Sequence, residues 1–206
     1  MALYLHIASK IMKPEHLPQL APPGAGLPKI ERFVANRMIR WKAARTTRDQ
    51  ATAVFDQQCE AILRLLKDQD QTALTQPVLI KRLPGLEDSS RYWSLLMVVD
   101  HLRIVNRDIA EVIASLGAGR LPEREASIAA VKPNPQVSHT VIAEFEQGCS
   151  DFTSIVSAVP DLKTSLKFPH PWFGPMDAAT WHFMTAFHMQ LHFKQMNLIL
   201  AGLSKI

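Results

Sequence analysis

The chain has 206 residues, 47% of them apolar and 20% charged, so it can bury a sizeable core and is not disordered. No apolar run approaches bilayer length, which argues against a membrane partner, and the opening Met1–Lys10 reads as a poor signal peptide because no basic region precedes it. The net charge of +4 is concentrated. The stretch from Lys29 to Arg48 holds seven basic residues against one acid, Glu31, a local charge of +6, and the rest of the chain carries −2.

Residues 1 to about 28 contain Pro14, Pro18, Pro22, Pro23 and Pro28, with Gly24 and Gly26. Prolines at that density remove backbone donors and block helix, which predicts an extended arm. The basic segment follows. Ile30, Phe33, Met38 and Trp41 recur at near-helical spacing, so it reads as a basic amphipathic helix docked on a core through Phe33 and Trp41. With no aromatic interleaving beyond Trp41 and no DNA-reading pattern, nucleic acid is not an expected partner. Residues 1–47 are therefore read as arm and basic helix, and 48–206 as the main domain.

Val54, Cys59, Ile62, Leu63, Leu65 and Leu66 predict a helix from about Arg48 to Lys67. Asp88-Ser89-Ser90 offers an N-cap for a long helix in which Leu95, Val98, Leu102, Val105, Ile109, Val112 and Leu116 repeat every three to four residues. Gly117 and Gly119 end it. A loop over 118–135 leads to Ser138, expected to cap a third helix through Val141, Phe145, Cys149 and Phe152, stopping near Pro160. Residues 167–175 read as rigid and irregular, and Asp177 caps a last helix to about Leu203. No hairpin pattern, repeat or low-complexity tract is evident. The fold class is all-α, a four-helix bundle with an N-terminal arm and an extra basic helix. Cys59 and Cys149 stand far apart without the spacing of zinc or redox motifs, and are expected as buried, reduced thiols of a cytoplasmic protein.

Within the last helix, His188 and His192 sit four residues apart and share a face. Neutral imidazole is the commonest protein ligand for metals, and bundles build metal sites from side chains on facing helices. His101, beside the apolar face of the second bundle helix, is the natural third ligand, although alone it would read as a core histidine. Three neutral ligands leave coordination positions open and leave the ion's charge uncompensated, which favours deprotonation of a bound water or thiol. Zinc or nickel fits best, with iron possible. Gln195, seven residues after His188, could orient an imidazole or simply close the core edge. His170 could pack over the site. Trp93, Trp181 and Met184 could line a pocket. His6, His16, His139 and His182 are left out of the site. No general base is evident; Asp100 adjoins His101 in sequence but faces elsewhere.

Three stretches of this sequence resemble the DinB-like superfamily of four-helix metalloproteins. His101 within Trp93–Leu102 resembles that family's first metal ligand, and His170-Pro-Trp-Phe-Gly-Pro175 followed by Trp181 resembles the entry to its last helix. His188-x-x-Leu191-His192-x-x-Gln195-Met196 resembles its C-terminal signature, whose two outer histidines are ligands. The match covers roughly Arg48 to Leu203. The family often carries two adjacent histidines here; Leu191 takes the first place, so any proton-transfer role of that extra histidine is absent. The resemblance implies a metal-dependent enzyme, a thiol transferase or a hydrolase, acting on a small thiol or electrophile. The alternative is a non-catalytic stress-associated or ligand-binding protein with a structural or absent metal, working as a homodimer.

Overall fold

A computed structural model describes residues 18–123 and 125–205. The first seventeen residues of the expected arm, with His6 and His16, lie outside them. Among the described residues six helices, α1 (Lys29–Ala43), α2 (Arg48–Lys67), α3 (Gln71–Thr75), α4 (Leu95–Gly117), α5 (Thr140–Ala158) and α6 (Ala178–Leu203), carry the fold. The bundle is a ring: α4 packs on α5 and α6, and α2 closes it against both. Phe55, Leu95, Leu102, Phe145, Phe152 and Met189 fill its centre, Phe55 stacking on Phe152 at 4.4 Å. α6 is apolar on nearly every side because it has neighbours on nearly every side: α1, α2, α4 and two short strand pairs. None of the described helices is long and apolar enough to cross a membrane.

Local chemistry sets the helix starts. Thr47 and Gln50 form a reciprocal capping box at α2, and Asp177 accepts from Thr180 N at α6. Two expected caps shift. Asp88–Ser90 forms a short 3-10 turn, and Ser94 caps α4 by accepting from Met97 N. α5 begins after His139 with no side-chain cap, and Ser138 instead contacts Thr140. Gly119, at φ +69°, supplies the left-handed turn after α4.

Three further expectations are corrected. The described residues hold two antiparallel strand pairs, β1 (Val78–Leu79) with β2 (Tyr92–Trp93), and β3 (Phe168–His170) with β4 (Gly174–Met176). They are too short for period-two alternation to show in sequence. Cys59 and Cys149 are not lone thiols. α2 and α5 lie face to face, bringing their Cα atoms to 6.6 Å and pairing the sulfurs in a disulfide that spans 90 residues of sequence. That pairing withdraws the argument for a reducing, cytoplasmic compartment, which rested on lone thiols. Lastly, α1 does not dock through Phe33 and Trp41, which are 68% and 56% exposed. It docks through Ile39, with Ala35 and Met38 half-buried. Its roll is set by polar tethers: Glu31 pairs with Arg82 at 2.6 Å and accepts from Gly85 N, while Arg40 donates to the carbonyls of Phe173 and Pro175. These turn the Phe33–Arg37–Trp41 stripe outward.

Candidate metal centre

His101 projects from α4 two turns after its cap, and His188 and His192 project from successive turns of α6 toward it. The three Nε2 atoms converge: His188 Nε2 lies 3.2 Å from His101 Nε2 and 3.0 Å from His192 Nε2. One nitrogen from each ring falls within a common 4.8 Å span. His101 and His192 are buried, and His188 is half-buried at the edge of a cavity.

Hydrogen bonds behind the rings decide what those nitrogens are. The Val131 carbonyl can only accept, so His101 Nδ1, 2.6 Å away, carries the proton and its Nε2 is a bare lone pair. The Ser90 carbonyl likewise accepts, at 2.7 Å, from the Gln195 amide nitrogen, which turns the Gln195 carbonyl oxygen toward His192 Nδ1 at 2.6 Å. His192 must therefore donate from Nδ1 and present a bare Nε2. Gln195 is thus an orienting residue. Two lone pairs aim at the spot His188 Nε2 shares, and a single neutral ring can offer only one proton to both. Nδ1 of His188 is buried with no partner among the described residues.

Burial drives the His101 pKa down to about 4, partly offset by the Val131 hydrogen bond. His188 and His192 are held well below the ordinary imidazole value, first by burial and then by repulsion from neighbouring rings. All three are neutral bases at neutral pH. The donor set fits a small divalent ion: tetrahedral nitrogen ligands at the usual zinc distance stand about 3.3 Å apart, close to the 3.0–3.2 Å separations here.

The acceptors behind the rings are themselves anchored. Lys132 follows Val131 and donates to Glu87 at 2.6 Å and to the hydroxyls of Ser89 and Ser90. Asp100, paired with Arg103, accepts from Asn134 N and pulls the same loop onto α4. Glu87 also accepts from Gly24 N and Gly26 N, tying the arm down; although burial raises it, Lys132, Gly26 N and the Ser89 hydroxyl hold its carboxyl below the usual range. One ion pair, Lys132–Glu87, therefore steadies both the Val131 loop and the Ser90 turn. Sequence reasoning missed Val131, Ser90, Glu87 and Lys132. Two act through backbone carbonyls, which leave no residue-type signature, and the other two are ordinary charged residues of loops.

The triad opens into a cavity of about 920 Å³ between α4, α6, α1 and the loop after α4. Trp181, Met184 and His170 line it, and Trp93 does not; Trp93 packs behind the triad, 5.2 Å from His101 and stacked on His192 at 6.2 Å. His182 is buried elsewhere, its Nε2 3.2 Å from Thr52 Oγ1, and His139 meets Gln71 on the surface.

No protein-family model and no curated protein matches the sequence. Among solved structures the chain is similar to TT2238, described as a four-helix bundle protein, with a TM-score of 0.54 and 24% identity over 72% of this chain and 96% of that chain. At that identity the likeness speaks for the fold alone.

Proposed function

We propose that His101, His188 and His192 hold one divalent metal ion, zinc or nickel in preference to iron, and that the chain is a metal-dependent transferase or hydrolase of the DinB-like type. The observation that carries this reading is the pair of bare Nε2 lone pairs, fixed by Val131 and by the Gln195–Ser90 relay, aimed at one point beside His188. An ion there, held by three neutral ligands, supplies Lewis-acid activation of a small thiol or a water. The chain's own contribution is positional. Val131 and Gln195 fix two tautomers, Trp93 closes the rear of the site, and the cavity in front admits a reactant. The two buried carboxylates among the described residues, Glu87 and Asp100, are fully occupied by Lys132, Arg103 and backbone donors, so neither serves as a free base. Elemental analysis of gently purified protein tests the reading. About one ion per chain, lost in His188→Ala/His192→Ala, supports it; no metal after reconstitution with zinc or nickel refutes it.

The second reading is a homodimeric binding protein without catalysis. It is favoured by the outward apolar face of α1, where Ile30, Phe33 and Trp41 are 80%, 68% and 56% exposed. Sedimentation equilibrium of the wild type and Phe33→Asp tests it: a dimer that dissociates in the variant supports an α1 interface, and a wild-type monomer removes it.

A further inference from the structure

The cavity is shaped by one helix face. His101, Val105, Ile109, Val112 and Ser115 recur at three and four residues along α4 and all line it. From His101 to Ser115 that floor runs about 21 Å at the rise of an α-helix. The opposite walls are Phe168, Phe173, Trp181, Met184 and Phe187, with Val34 and Met38 of α1 at one side. The space therefore runs along that helix face, with the triad at one end.

Its charges are distributed unevenly. Near the triad, Glu87 is matched by Lys132 at 2.6 Å, and at the α1 side Glu31 is matched by Arg82 at 2.6 Å. The other charged lining residues lie on the second half of α4 and on the loop after it. Four of those five are acids, Asp108, Glu111, Glu123 and Glu125 against Arg120, so an anionic group on the body of a ligand would lose its water and meet like charge.

His170 lines the cavity with one ring nitrogen to spare. His170 Nδ1 accepts from Trp172 N at 3.1 Å, so the neutral ring carries its proton on Nε2, for which no acceptor exists among the described residues. Stacking on Phe173 at 4.7 Å and contact with Trp181 at 5.4 Å hold the ring in place. Burial keeps it neutral, with its pKa lowered to about 4. It is close enough to His188 that charges on the two rings would repel.

We infer that this cavity binds a neutral molecule with an elongated apolar body, and that His170 Nε2–H donates to a carbonyl-type acceptor at the end of the ligand nearest the triad. The inference deepens the proposed metal-site reading by naming a substrate class: acyl or carbonyl compounds with uncharged tails, and not anionic peptide-like thiols. Binding itself needs no ion. The cavity proposal can therefore fail while metal binding stands, and the reverse.

Three fluorescent probes test it, each titrated into metal-free and zinc-loaded full-length protein. Propionyl-dimethylaminonaphthalene is neutral and carries a ketone; phenylnaphthylamine is neutral without an acceptor; anilinonaphthalenesulfonate has a similar body with a fixed negative charge. The expected result is saturable one-to-one binding of both neutral probes, and binding at least about tenfold weaker for the sulfonate. His170→Phe keeps the ring packing and removes the donor. It should weaken the ketone probe about three- to tenfold and blue-shift its emission, leaving phenylnaphthylamine unchanged. Val105→Trp fills the floor and should abolish both neutral probes without changing zinc stoichiometry. Equal binding of the sulfonate, absence of saturable binding in the wild type, or equal loss of both neutral probes in His170→Phe would overturn the proposal. The wild-type comparison decides the matter even if Val105→Trp fails to fold.

Discussion

α4 and α1 both line the same cavity and both carry amphipathic patterns, yet they are held by opposite means. α4 is gripped by apolar burial, with Leu95, Val98, Leu102, Ile113 and Leu116 essentially inaccessible. α1 buries only Ile39 fully, and two polar tethers, Glu31–Arg82 and Arg40 to the β3–β4 hairpin, set its orientation. Where a helix is enclosed on several sides, the apolar pattern alone dictates its roll. Where it is a flank, a few hydrogen bonds outweigh that pattern and leave aromatic residues in water.

The sharpest way to test that contrast is to truncate one aromatic in each setting. Phe152→Ala, in the bundle centre, should cost about 3–5 kcal/mol in chemical unfolding. Phe33→Ala, on the outward face of α1, should stay within about 0.5 kcal/mol. A large loss from Phe33→Ala would show that α1 docks differently. The next effect concerns the α2–α5 wall. Cys59→Ala/Cys149→Ala should lower stability by about 2–4 kcal/mol, since the disulfide closes a long loop in the unfolded chain. Reducing agent should leave the double variant's melting temperature unchanged while lowering that of the wild type.

A smaller effect is pH-dependent. Burial, and then the positive Arg48, push the His182 pKa down to about 4. Below its ordinary value of 6.5 the unfolded chain takes up a proton that the folded chain refuses until about pH 4. His182 therefore supports stability above pH 6.5, and that support is lost as pH falls through the window. The stability of the wild type relative to His182→Gln should shrink by about 1–3 kcal/mol between pH 6.5 and 4. A pH-independent difference would mean the ring is not buried neutral. Last in order is Gln195→Leu, which should leave the fold intact and weaken zinc binding about 10- to 100-fold by freeing the His192 tautomer. An unchanged affinity would reduce Gln195 to a packing residue.

The same contrast explains what was legible in the sequence. The long helices and the shared face of His188 and His192 follow from 3.6-residue periodicity, because enclosed helices obey it, whereas the place of His101 beside them was suggested by the family resemblance. The exposure of Phe33 and Trp41 was not legible, since Glu31 and Arg40 act on partners 51 to 135 residues away. The pairing of Cys59 with Cys149 depends on which helices become neighbours in the ring, which their spacing does not encode. The supports of the triad were hidden for another reason: the Val131 and Ser90 carbonyls act through backbone that any residue possesses.

The most direct measurement is a zinc titration of metal-free protein against a chromophoric chelator, with the wild type beside His101→Ala. One site per chain is expected in the wild type, tight enough to compete with the chelator, and at least a hundredfold loss in the variant with its helical content unchanged. Absence of competition by the wild type, or equal affinity in His101→Ala, would contradict the claim that three helix-borne imidazoles form one metal centre.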